Sequence, residues 1–493
     1  MSAYSPGPFT ITKSGDAVPD GHSLMTAVST LRRRVATWFQ GSANRRILAA
    51  ILTVGSLSVI VKLTATLKEL VVAYQFGTGD AVDAFLIAFL VPSLVVNVVA
   101  GSLTAAFTPV YIEVRETQGH SAARRVFQNA TAGSAAVVLV VTCLLLLLTP
   151  LAARFLEGSF SAAKLALTRS LFVVLLPVIL LNAVVTTWSA LLNAEGQFAS
   201  VALAPVCVPF FTMALVLLAS RAWGIYSLAW GTVCGSLVQC CVLGVALFRQ
   251  RMPVLPRWDG VTPELRRVAV QYAPMVAGAA LMSSSWAIGQ AMAAMLPPGS
   301  VASLNYGNKL VGMATEIGSM ALATAVLPHF SLMVARRDWS SIRRTLRIYV
   351  RLIILTAVPS TVVLILLSKV IVRTLFERGA FTAEDTSLVA GIQGFYLLQV
   401  PFVMLGMLFV RLASSLQRNQ ILLWGAAITL PLNVVLNFAL MRWLGAGGIA
   451  LSTSLVYLVS CCYLVVTVQR ALTIAGERYP QGPVVEAASG EVG

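Results

Sequence analysis

Twelve runs of mostly apolar residues constrain this 493-residue chain more than anything else in it. A helix needs about 20 such residues to cross the hydrocarbon core of a bilayer. The runs lie near 48–74, 81–111, 131–153, 170–192, 199–220, 224–248, 268–296, 300–334, 349–372, 387–416, 420–441 and 446–469. Lipid offers no hydrogen-bond partner to the backbone, so runs of this length are expected to be helices. Composition agrees: 58% of residues are hydrophobic and 11% charged, where a soluble domain carries about 25% charged residues. The expected fold is all-α, a polytopic membrane protein of twelve transmembrane helices.

The net charge of +16 would suggest nucleic acid in a soluble protein. In a membrane protein, Lys and Arg collect in cytoplasmic loops instead, and no nucleic-acid partner is expected. With the N-terminus inside, twenty-three basic residues fall on the cytoplasmic side, in the N-terminal tail and after the even-numbered spans. Eight fall outside (Arg154, Lys164, Arg169, Arg221, Lys369, Arg373, Arg378 and Arg442), and four lie within spans. Both termini are therefore expected in the cytoplasm. Residues 1–46 form a basic tail with no short apolar core and cleavage site of the signal-peptide kind. The remainder divides into a lobe at 47–250, a cytoplasmic linker at 251–267, a second lobe at 268–472 and a tail at 473–493. The basic stretch Arg336 to Arg351 reads as a linker touching anionic membrane lipids.

The second half repeats the first at a shift of roughly 220 residues. Gly101-Ser-Leu-Thr-Ala-Ala-Phe-Thr-Pro109-Val-Tyr111 aligns with Met320-Ala-Leu-Ala-Thr-Ala-Val-Leu-Pro328-His-Phe330, and Glu157-Gly-Ser-Phe160 aligns with Arg378-Gly-Ala-Phe381. Pro177 and Pro209 align with Pro401 and Pro431. Six spans per repeat is an even number, so both repeats enter from the same side. Parallel repeats of this kind build two transporter lobes around a midplane site that opens alternately to each side.

Charges inside a span cost at least about 2.5–3.5 kcal/mol each at the bilayer centre, so they are expected to face a cavity or a partner. The candidates are Lys62, Lys68, Glu69, Asp83, Lys309, Glu316 and Arg411. Lys62 and Glu69 are seven residues apart, two helical turns, and share a face; Lys309 and Glu316 repeat that spacing. Asp83 and Asn97, fourteen apart, share a stripe. Snorkelling lysines and structural ion pairs are the alternative to a polar cavity. Four cations against three acids lean toward an anionic head group such as a pyrophosphate; an antiporter of cations would be expected to hold an uncompensated acid.

His22, His120 and His329 sit in the tail or at span ends, and no Walker A, H-E-x-x-H or G-x-S-x-G motif occurs. No catalytic constellation, metal site or cofactor is expected, and transport would draw on membrane potential or an ion gradient. The seven cysteines lie in apolar stretches and read as small buried hydrophobes.

Lys68-Glu-Leu-Val-Val-Ala-Tyr-Gln-Phe-Gly77, Asp83-Ala-Phe85, Ala106-Phe-Thr-Pro109, Tyr306-Gly-Asn308-Lys309 and Leu375-Phe-Glu-Arg-Gly-Ala-Phe-Thr382 together resemble the MviN/MurJ family of lipid II flippases. That family belongs to the multidrug/oligosaccharidyl-lipid/polysaccharide exporter superfamily. The resemblance covers about 47–472. It implies a bacterial inner-membrane flippase whose cationic cavity binds the pyrophosphate of an undecaprenyl-linked saccharide. Lys62, Lys68 and Lys309 stand where the family places cavity arginines, and lysine keeps the charge but loses the bidentate fork. Asn308 stands at the family's acid or amide, and Asp83 at its aspartate. Two departures stand out: Val96 and Asn97 replace adjacent arginines, and the two extra C-terminal spans of the peptidoglycan flippases do not follow. A flippase for an exopolysaccharide or O-antigen unit, working with a glycosyltransferase or polymerase, is the second reading. A cation-coupled multidrug antiporter is the third.

Overall fold

The computed structural model describes residues 43–156, 160–252, 256–260 and 262–478. The basic cluster Arg32 to Arg34, the repeat residues Glu157 to Ser159 and most of the C-terminal tail lie outside them. The chain divides into two compact units, Met1–Ser58 and Val59–Gly493, and the second carries the architecture that follows. Every element among the described residues is helical, with no strand.

Fifteen α-helices follow in order. They are α1 (Ala43–Phe76), α2 (Asp80–Val95), α3 (Gly101–Gln118), α4 (His120–Leu156), α5 (Ala162–Ala194), α6 (Phe198–Leu203), α7 (Cys207–Trp223) and α8 (Tyr226–Arg249) in the first half. The second half holds α9 (Pro263–Ala293), α10 (Ser300–Ala335), α11 (Trp339–Phe376), α12 (Ala383–Leu397), α13 (Val400–Ser415), α14 (Gln420–Leu444) and α15 (Ala446–Arg478). A π-turn at Val96–Ala100 joins α2 to α3, and a 3-10 turn at Ala204–Val206 joins α6 to α7. Among the described residues, nine helical stretches are long and apolar enough to cross a membrane. The outer surface matches: Leu218 is 85% and Trp443 88% exposed, which water would not tolerate across a whole surface.

Local chemistry sets the helix ends. Ser161 caps α5 by accepting from the Lys164 amide at 3.3 Å. Thr262 caps α9 in the same way, with Pro263 at the first helical position, where its missing N–H costs nothing. Thr382 and Asp385 form a reciprocal capping box at the start of α12. Asp80 and Asp83 both lie in the first turn of α2, where carboxylates favour the positive end of the helix dipole.

Packing divides the second unit unequally between its two ends. A core cluster containing Val72, Phe85, Leu171, Ala302, Tyr306 and Phe381 joins α1, α2 and α5 to α10 and α12. A second cluster brings Ile87 of α2 against α9, α10, α12 and α15. At the opposite end the cores separate. One, around Phe107, Tyr111 and Phe127, holds first-half residues and the start of α9; another, around Phe330, Trp339 and Leu408, holds second-half residues alone. The halves are thus fastened at one end, and α9 packs on both α3 and α14.

The cysteines correct an expectation. Cys461 is buried, but Cys143, Cys241 and Cys462 are exposed. An apolar neighbourhood does not imply burial when the outer face of a helix is itself apolar.

Candidate functional site

The in-span charges of α1 and α10 meet. Lys62 forms an ion pair with Glu316. One level along, the Lys309 Nζ lies 3.1 Å from the Glu69 Oε1, and the Lys68 Nζ approaches that same oxygen at 2.8 Å. Between the levels, the Thr66 hydroxyl reaches the Met313 sulfur. Numbers rise on one helix as they fall on the other, so the helices run antiparallel and the cation and the acid exchange sides between levels. Seven residues at 1.5 Å each separate the levels by about 10 Å. The seven-residue spacings read from the sequence therefore face each other across the halves.

The outer pair is about half exposed, with side-chain exposures of 53% for Lys62 and 57% for Glu316. The inner triad is drier, with Lys68 at 22% and Glu69 at 20%. Two ammonium groups converge on one carboxylate oxygen there. That arrangement is a cradle for an anionic oxygen, and it is at present filled by the chain's own Glu69.

Asp83 belongs to a second node, at the fastened end. It is 1% exposed and accepts from the backbone amides of Gly299 and Ala302, each at 2.8 Å, at the N-terminus of α10. The Lys164 Nζ lies 3.2 Å from Asp83 and 2.6 Å from Asp80. A buried carboxylate is tolerable only when so matched. Around this node the backbones touch. Tyr306 donates to the Gly77 carbonyl at 3.3 Å, the Ala380 amide donates to the Tyr74 carbonyl at 2.8 Å, and the Thr78 hydroxyl donates to Asp385. Gly299 (φ +86°) and Gly379 (φ +63°) allow this approach, since a Cβ on either would strike the backbone carbonyl of Thr78 or Tyr74.

The remaining candidates are dispersed. Asn97 sits in the π-turn and is exposed, whereas Asp83 is buried among cross-half partners; the shared stripe does not bring them together. Pro92 lies four residues before that turn, and the wider turn shifts the register that a uniform 3.6-residue helix would give. Asn308 is half-buried beside Lys309. Arg411 is half-buried on α13, with its Nε buried and without a hydrogen-bond partner.

The sequence profile described as "Lipid II flippase MurJ" matches residues 72–481. The chain belongs to the MurJ family. Similar MurJ proteins include a probable lipid II flippase of Rhizobium meliloti (strain 1021), 27% identical over 412 residues, or 81% of this chain and 76% of that one. A lipid II flippase of Burkholderia cenocepacia is 26% identical over 69% of this chain and 68% of its own. Among solved structures, a MurJ described as inward closed matches with a TM-score of 0.75 at 19% identity, covering 86% of this chain and 90% of that chain. An inward-facing multidrug transporter of the MATE family matches at 0.69, with 12% identity and coverage of 86% and 99%. These likenesses establish the fold: an all-helical, multi-pass membrane transporter of the MurJ type.

Within this MurJ fold, sequence reasoning missed Lys164, counted only as an external loop charge. The structure buries it to 8% exposure as the counter-ion of the Asp80–Asp83 pair. Two carboxylates three residues apart at the start of an apolar helix were the available signal that a cation had to come from elsewhere. Thr78 and Asp385 carried no such signal, because only tertiary packing makes them neighbours.

Proposed function

We propose that this chain flips lipid II, the undecaprenyl-pyrophosphate-linked peptidoglycan precursor, from the inner to the outer leaflet of the bacterial cytoplasmic membrane. The observation that carries the reading is the convergence of Lys68 and Lys309 on a single anionic oxygen, within a chain matched by the MurJ profile over 72–481. Twelve spans in two six-helix lobes, with both termini in the cytoplasm, give the cavity its sidedness: α1 starts inside, so the fastened end faces outward and the separated end inward. The head group enters from the cytoplasm and meets the lysines of α1 and α10. It leaves when the outer contacts part and the inner ends close. Membrane potential or an ion gradient drives the cycle.

The Val96–Asn97 departure supports a second cargo. No cation stands at the π-turn, so a lipid-linked polysaccharide unit with fewer anionic groups, carried in partnership with a glycosyltransferase or polymerase, fits this cavity. The deciding experiment is depletion of the native lipid II flippase with this protein supplied in its place. Growth rescue is expected; lack of rescue at normal membrane expression would exclude lipid II and leave the polysaccharide cargo.

A further inference from the structure

Each lysine brought into the cavity by α1 and α10 already holds a carboxylate. Lys62 is paired with Glu316, and Lys68 and Lys309 share Glu69. Three cations against two acids leave this group close to neutral. A cavity built only to attract a pyrophosphate would omit the acids. At both levels one acid stands on the helix opposite a cation, Glu316 opposite Lys62 and Glu69 opposite Lys309, and this antiparallel register calls for a separate explanation.

We propose that Glu316, and with it Glu69, is an intramolecular stand-in for the head group, holding the lysines when the cavity is empty and retaking them as the substrate leaves. This rests on the lipid-pyrophosphate reading above. A carboxylate and a phosphate oxygen offer an ammonium group the same charge-assisted hydrogen bond, so they compete for one position. The competition weakens substrate binding, and a carrier needs it weak. A site that binds too tightly admits its cargo and does not release it, the constraint that also governs conducting pores. Uncompensated, three ammonium groups in a partly desolvated cavity would trap a pyrophosphate.

Glu316 is the residue to change, because its pair is half exposed and its removal leaves the packed triad intact. The Glu316→Gln variant keeps shape and hydrogen-bonding capacity and loses the charge. An exposed ion pair contributes about 0.2–1 kcal/mol, so freeing Lys62 should tighten binding by about 1.5- to 5-fold. The assay is titration of full-length protein in nanodiscs with undecaprenyl pyrophosphate, alongside flipping of the same lipid in proteoliposomes. The expected result is a lower Kd with slower turnover in Glu316→Gln, and a higher Kd in Lys62→Gln.

An unchanged or higher Kd in Glu316→Gln, with wild type binding normally, overturns the stand-in role and leaves the lipid-pyrophosphate reading in place. Absence of saturable binding in wild type overturns both. Zero-length carbodiimide coupling gives a readout independent of variant folding. Lys62 and Glu316 should cross-link in wild type without ligand, and undecaprenyl pyrophosphate should suppress the cross-link. A cross-link that saturating lipid leaves undiminished refutes the exchange.

Discussion

Replacing Asp83 by Asn tests whether the fastened end is a gate. The carboxylate accepts two backbone amides of α10 at 2.8 Å and lies 3.2 Å from Lys164, almost wholly buried. An asparagine can accept one of those amides through its oxygen, but its NH2 group meets the other amide or the ammonium, donor against donor. The ion pair with Lys164 lies within the first half and is common to both states. The two amide contacts are what the gate loses, and since a hydrogen bond to a charged group contributes about 1.5–3 kcal/mol, about 2–3 kcal/mol is expected from weakening them. Every one of the amide contacts crosses between the halves, so that loss falls on the outward-closed state alone. At 1.4 kcal/mol per tenfold, the population should shift toward outward opening by about 30- to 150-fold. The assay is labelling of Asn308→Cys from outside the cell with a membrane-impermeant maleimide, in a background free of the native cysteines. Labelling should rise sharply in Asp83→Asn. Unchanged labelling in a variant that reaches the membrane at normal level would refute the gate.

The other predictions concern the same contacts and one cap. Lys309→Ala, in the cavity, and Asp83→Ala, at the gate, should each abolish complementation at unchanged protein level, as read by growth and immunoblot; full activity in Lys309→Ala would sink the charged-cavity argument. Gly299→Ala places a Cβ against the Thr78 carbonyl at φ +86°. It should increase external labelling as Asp83→Asn does, with an added fall in thermal midpoint. Asp338 caps α11 by accepting from the Ser341 amide at 2.9 Å, and Asp338→Ala should cost about 1 kcal/mol. Hydrogen bonds from Ser341 and Ser340 hold the Asp338 carboxyl below its ordinary range. Its folded pKa is depressed, so the cap contributes fully above the unfolded value near 4 and is lost as pH falls through the folded value. Thermal unfolding of the detergent-solubilised protein should show this acid-side loss in wild type and not in Asp338→Ala.

Much of the fold was legible because hydrophobic run length is a direct statement about the solvent. The apolar runs reappear as helices, and Gly77 and Gly299, with positive φ, stand in the gaps between runs. The charged site was half legible. Spacing of seven put Lys62 with Glu69 on one face and Lys309 with Glu316 on another, as helical periodicity requires. It could not reveal that Lys62 and Lys309 each pair with the acid of the other helix, because partner choice depends on the relative direction and offset of two elements. Asn97 shows the converse failure, where a π-turn invisible in the residue pattern breaks the period on which the stripe was counted.

The two charged clusters differ in a way that fits a cycle. Asp83 and Lys164 are nearly sealed from solvent, and Asp83 accepts two backbone amides of the other half, so those amide contacts hold one state firmly and are lost together when it opens. Lys62 and Glu316 are half exposed and, among the described residues, paired only with each other, so a competing anion can part them at small cost. A carrier needs both kinds: a gate stable enough to exclude leak, and a binding site loose enough to exchange. If Asp83 instead contacted the cargo directly, Asp83→Asn would weaken binding of undecaprenyl pyrophosphate in nanodiscs. Placed at the gate, it should leave that affinity within about twofold while external labelling rises. The two measurements made on one variant separate a gating carboxylate from a binding one.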